Sequence, residues 1–279
     1  MAGLFDLEFH EKKIKEYQPT LAKLDLVIDW EMFRETIEKA LYVEPKGAGG
    51  RPPFDKIMMF KILILQKYYN LSDEQTEFQI NDRTSFKQFL GLKIGDTIPD
   101  EKTIWHFKEQ LANKDLSKSL FEMFAVALMD KGIIAKEGSI VDATFVDVPK
   151  QRNSKEDNAD IKKGAVPLKF GKKDKNGKQS KLCQKDTDAR WMTKSGEKHF
   201  GFKDHINADE KTKLITKYSV TSAAPHDSTE IENIVDETDN RLHADSAYRS
   251  KEIEEHLKAI ECESFVHEKG YRGSPLTEQ

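Results

Sequence analysis

The chain has 279 residues, enough for one large or two ordinary domains, and although 34% of them are charged, 16 Phe, 7 Tyr and 3 Trp supply ample core material. Its net charge of −4 hides an uneven distribution: residues 150–198 carry 15 Lys and Arg against 7 Asp and Glu, so a polyanion would be sought there first, with a solvated loop as the open alternative. Two cysteines, Cys183 and Cys262, exclude a disulfide framework and a Cys-rich zinc site, and the longest apolar run, 57–65, is interrupted by Lys61 and too short for a bilayer.

In chain order, Met1–Phe5 runs into Asp6 and Glu8 without a basic n-region, so no signal peptide is expected and the cytoplasm is the expected location. Pro52-Pro53 stands ahead of an apolar helix carrying Ile57, Phe60, Ile62, Leu63 and Leu65. Ser72 and Gln75 read as a capping box opening a helix with Phe78 and Ile80 inward. A shorter helix with Phe86, Phe89 and Leu90 stops at Gly91. In EKTIWHFKEQL, Ile104, Phe107 and Leu111 share one face. Lys102, Thr103, His106 and Lys108 lie opposite, and Trp105 reads as core, with stacking on a base as the alternative. Short helices with a polar last face suit a helix-turn-helix-like DNA module, and equally a plain helical bundle.

From Gly138 the texture changes to strands: 139–146, then Phe200–Asn207, then Leu214–Thr221, an antiparallel meander. A helix follows, capped at Asp227–Glu230 and running to Glu237. A short strand Leu242–Ala244, a helix Ser250–Ala259 and a last strand Glu263–Val266 complete the order β-β-β-α-β-α-β. The expected architecture is an α/β mixed sheet in residues 134–279 behind an all-helical domain in 1–133. Residues 149–196 form a basic insertion without clear periodicity.

Two aspartates carry the chemistry. Asp142 interrupts the first strand, and a carboxylate buried there is costly unless a cation or fixed donor compensates. Asp245 ends the fourth strand, where a turn residue is the alternative reading. In a mixed sheet these strands can be neighbours, which brings both acids to one edge. Two carboxylates there could hold Mg²⁺, and a pair of such ions roughly 3.5–4 Å apart serves phosphodiester cleavage. His199, His205, His226 and His243 lack zinc-ligand spacing and read as structural or DNA-facing. Gly47–Gly50 lacks the Lys-Ser/Thr of a phosphate loop, so ATP dependence is not expected.

The successive motifs VDATFVDVPKQRN, QKDTDARW, HFGFKDHINAD, AAPHDS and HADSAYRS, with GRPPFDKIMMFKILILQ and IPDEKTIWHF before them, resemble the transposases of the insertion sequence 5 family. The resemblance spans nearly the whole chain. It implies a DDE transposase with a ribonuclease-H-like fold, Asp142 and Asp245 as its first two catalytic and metal-binding acids, and Mg²⁺ or Mn²⁺ as cofactor, with two ions expected. It implies double-stranded DNA as partner, a homodimer on that DNA, and cleavage and strand transfer at the element's ends. Tyr248 and Arg249 stand where the family has its Tyr and Arg and are expected at DNA phosphates, as are Lys203 and Arg152. Lys150 and Arg190 join Arg152 near the mouth of the site, while Arg51, Lys102 and His106 are the expected DNA contacts of the helical domain. The third acid, a glutamate on a basic helix, is expected past Gln279. Glu263, Glu268 and Glu278 lack that context, so a truncated, inactive DNA-binding remnant is the alternative expectation.

Overall fold

A computed structural model describes residues 6–17, 19–44, 47, 49, 52–135, 137–167, 170–173, 179–181, 183, 185–194 and 196–268. The chain falls into two compact units, 1–124 and 125–279.

The first unit is helical: α1 (Asp6–Tyr17), α2 (Pro19–Val27), α3 (Arg34–Ala40), α4 (Lys56–Tyr68), α5 (Asp73–Asp82), α6 (Thr84–Leu90), α7 (Glu101–Asn113) and the start of α8 (Leu116–Asp130). Each boundary has a local cause. Asp55, not the two prolines, caps α4, accepting from the Met58 N–H at 2.9 Å. The Ser72–Gln75 capping box forms in both directions. Gly91 ends α6 in the left-handed conformation, which a residue without Cβ adopts freely. Ile37, Ile62, Leu65, Ile80, Phe86, Ile104 and Phe107 form one apolar cluster with Trp30 and Phe33. Burying each such side chain stabilises the unit by about 1.5–3 kcal/mol.

Two expectations for this unit fail for geometric reasons. Phe78 is 64% exposed, because positions two apart on a helix point away from each other and Ile80 takes the inner place. Trp105 is 52% exposed, since Ile104, Phe107 and Leu111 already fill the buried stripe of α7.

The second unit is built on a six-stranded mixed sheet, which gives the chain its α/β, ribonuclease-H-like class. Its strands are β1 (Ser139–Asp147), then β4 (Arg190–Lys194), β5 (Glu197–Asp209), β6 (Ile215–Ser222), β7 (Arg241–Ala244) and β8 (Glu263–Val266), after a separate pair, β2 (Gly171–Lys173) and β3 (Gln179–Lys181). The order is β4-β5-β1-β7-β8, with β6 also on β5. β5 pairs antiparallel with β1, β4 and β6, whereas β7 is parallel to both β1 and β8.

The 149–196 stretch is more regular than its composition predicts. It holds α9 (Lys155–Lys162) as well as β2, β3 and β4. The start of α9 was concealed because Asp157, rather than Glu or Gln, closes the capping box with Ser154. The helix expected to run to Glu237 is shorter: a 3-10 turn Asp227–Glu230, capped by the His226 side chain, leads into α10 (Ile231–Ile234), after which Val235 is extended. The next helix, α11 (Lys251–Ala259), is capped by Ser250.

β5 inverts the usual strand pattern. Beyond Phe200 and Gly201, its buried residues are Lys203, His205, Asn207 and Asp209, while Phe202, Ile206 and Ala208 are half-buried. Every polar group on that inward face then needs a partner. Asn207 donates to the Ile234 carbonyl (2.7 Å) and Asp239 (3.2 Å) and accepts from Thr216 (3.2 Å). Lys217 closes on Asp239 at 2.9 Å, and Thr212 donates to Asp209 at 2.7 Å. At the opposite end, Gly201 meets Asp147 of β1 and Arg190 of β4. A Cβ there would lie 2.1 Å from the Val146 carbonyl oxygen. Gly201→Ala is therefore expected to lower stability by about 1–3 kcal/mol, the usual range for overpacking, read from the urea midpoint.

Candidate active site

β1 and β7 are apolar where they pair, so Val141, Leu242 and Ala244 are drawn into the core with Ile231, Ile234 and Tyr248. That burial sets the parallel register Ser139↔Leu242, Ile140↔His243 and Val141↔Ala244. The next residues along these adjacent strands are Asp142 and Asp245, side by side at the end of the pairing. Both are exposed. The expected burial of Asp142 is thus corrected: β7 stops pairing opposite Val141, and β1 continues beside β5 alone.

Each acid is held by its own backbone. One Asp142 carboxylate oxygen accepts from the Ala143 N–H at 2.8 Å. Asp245 caps the 3-10 turn Ser246–Tyr248 and accepts from the Ala247 N–H at 2.8 Å. The second oxygen of each has no such bond among the described residues. Hard oxygen donors in this arrangement fit a divalent cation that keeps several waters. Among the described residues no group of three or more His, Cys, Asp or Glu is arranged to hold a metal ion.

Behind the pair lies a buried polar layer. Lys203 is 1% exposed, ion-paired with Asp227 at 2.7 Å and bonded to the Pro225 carbonyl. His205 is fully buried, with Nε2 2.9 Å from the Thr221 hydroxyl, and burial holds its imidazole below the ordinary range. Tyr248 is 1% exposed, and its hydroxyl has no hydrogen-bond partner among the described residues. Burial, and after it the charges of Asp227, Asp142 and Asp245, hold that hydroxyl well above the usual phenol range. Asp204 shares a sheet face with Asp142 through the pairs Thr144↔Asp204 and Asp142↔Ile206, and burial raises its carboxyl.

The expected DNA contacts divide on this geometry. Lys102 and His106 are exposed one turn apart on α7, and Lys150 and Arg152 are exposed just past β1. Lys203 and Tyr248 are corrected: both are buried and out of reach of a phosphate. The Arg190 guanidinium also turns inward, donating to the carbonyls of Thr187 (2.6 Å) and Ala189 (3.0 Å). Arg249 donates to the Val266 carbonyl at 2.8 Å and lies 3.8 Å from Glu254, which ties the turn after Asp245 to the end of β8. Lys108 is likewise engaged, with Asp73 at 2.5 Å. Arg51 lies outside the described residues.

The histidines are structural here: His199 stacks on Phe145, His243 stacks on Phe265, and His226 caps the 3-10 turn. Asp227 is the residue that sequence reasoning missed. Its only signal was a second carboxylate-bearing motif, AAPHDS, whose strand partner could not be known.

Residues 8–110 match a family model described as Transposase domain (DUF772), and residues 134–278 match one described as Transposase DDE domain. No solved structure matches the chain. Among the described residues, no helix is long and apolar enough to cross a membrane.

The Lys203–Asp227 pair gives a stability test. Asp227→Ala leaves an ammonium buried without its counter-charge, and a loss of about 3–5 kcal/mol in urea unfolding is expected. Replacing both residues together, Lys203→Met with Asp227→Leu, should recover most of that loss.

Proposed function

The chain belongs to the DDE transposases, and from that membership we propose that it cleaves DNA at the ends of an insertion sequence and joins those ends to a target. The observation that carries this reading is the β1–β7 register, which sets Asp142 beside Asp245 where two parallel strands stop pairing. Ligand and substrate groups in open α/β sheets collect at the carboxyl ends of strands; Asp245 follows the end of β7, and Asp142 lies beside it in β1 where the parallel pairing ends.

In this reading Asp142 and Asp245 hold the cofactor. Mg²⁺ or Mn²⁺, as two ions, would there activate water or a 3′-hydroxyl and neutralise the oxygen that leaves the phosphodiester. The residues themselves supply orientation. The Ala143 and Ala247 N–H groups each fix one carboxylate oxygen, so each acid is partly ordered before substrate arrives. Lys150 and Arg152, exposed past the end of β1, neutralise phosphates of the strand being cut. Lys102 and His106, on the exposed face of α7, contact the element's terminal DNA. Two copies of the chain hold the two ends together.

The test is cleavage of a labelled terminal fragment in Mg²⁺. Asp142→Asn or Asp245→Asn should abolish strand cleavage while the variants still bind DNA. Cleavage at the unmutated rate in either variant would rule out the acid pair. Separately, Lys150→Ala and Arg152→Ala should each reduce the slope of log affinity against log salt by about one, measured by fluorescence anisotropy on terminal and unrelated duplexes alike.

A further inference from the structure

A lysine ammonium has three donors, and a lysine that serves DNA keeps them for phosphate oxygens. Lys185, in the motif KDTDAR, spends them inside the protein. It donates to the Arg152 carbonyl at 2.6 Å and to the Asn153 side-chain oxygen at 2.8 Å, and it lies 4.7 Å from the centre of the buried Phe170 ring. Asn153 in turn donates to Asn158 of α9 at 3.3 Å, and the Ser154–Asp157 capping box opens that helix at once. Later in the same motif, the Arg190 guanidinium reaches the Ile161 carbonyl near the other end of α9, at 3.5 Å. Asp186 shapes the turn between the two cations, accepting from the N–H groups of Asp188 (2.7 Å) and Ala189 (3.0 Å). The motif is a clip that holds the segment 152–161 near both ends.

Arg152 is gripped through its backbone alone. Its side chain is exposed, with no hydrogen bond or ion pair among the described residues. An arginine whose backbone is already fixed loses less freedom when it meets a phosphate. We propose that Lys185 is a positioning residue for DNA binding: it fixes the Arg152 backbone past the end of β1, so that the guanidinium meets the DNA backbone from a pre-set place. This rests on the reading of Arg152 as a phosphate contact.

The test uses the full chain and a terminal duplex, with affinity read by fluorescence anisotropy at fixed salt. Lys185→Met removes the donors, and Asn153→Ala removes one acceptor without changing charge. Each should weaken binding roughly three- to tenfold, yet by less than roughly twofold when Arg152→Ala is already present, because the coupling runs through Arg152. Lys185→Arg, which keeps donors at that place, should restore most of the affinity. A full further loss from Lys185→Met on top of Arg152→Ala means that Lys185 itself contacts DNA and overturns the proposal. Unchanged affinity in Asn153→Ala overturns it as well, and that variant decides alone if circular dichroism shows Lys185→Met to be unfolded. If Arg152→Ala by itself leaves affinity unchanged, the reading of Arg152 as a DNA contact is wrong, and the role of Lys185 falls with it.

Discussion

The site depends on three paired positions between β1 and β7. Parallel strands need a crossover, and here everything between residues 147 and 241 is that crossover. A slip of one residue would turn the apolar anchors Val141, Leu242 and Ala244 out of the core and separate the two acids. The pairing is short, yet its register is specified by complete burial of Leu242 and near-complete burial of Val141 on one face. The acids need no stabilising environment of their own. They stand just outside a stretch whose position is already decided by apolar packing.

The site has two layers of different character. The outer layer, Asp142 and Asp245, is exposed and held by single backbone N–H groups. In the inner layer Lys203, His205, Asn207 and Tyr248 are buried, and Asp227, which pairs with Lys203, is half-buried. A buried ion pair such as Lys203–Asp227 adds little net stability, because desolvation offsets most of the attraction. What it does add is direction. Lys203 reaches Asp227 and the Pro225 carbonyl together, which fixes the segment 225–230 against β5 and so places the turn that packs beside Tyr248.

Much of this was legible in the sequence. The capping box at Ser72, the buried stripe of α7, the left-handed stop at Gly91 and the exact span of β8 follow from local rules, because caps and helical periodicity depend on residues a few positions apart. The neighbouring places of Asp142 and Asp245 were also readable, since the strand order limits which edges meet. The roles of the basic residues were not. Lys203 and Arg190 look like any cation in a polar stretch, and only the fold reveals that Asp227 and a row of backbone carbonyls turn them inward. Alternation in β5 was visible, but not its sense: with Lys, His, Asn and Asp at every second place, the ordinary rule assigns that face to water.

That inverted strand has a consequence for how the protein comes into being. A nascent chain leaves the ribosome from its amino end, and β5 emerges well before the groups that satisfy it. Asp227, the Ile234 carbonyl and Asp239 all follow it in the sequence. Until residue 239 is free, pairing β5 with β1 would seal an ammonium and an amide in a face with nothing to bind them. Pairing of β1 with β5 is therefore unfavourable until the segment that satisfies the buried face is available, and that segment arrives shortly before the strand that brings Asp245.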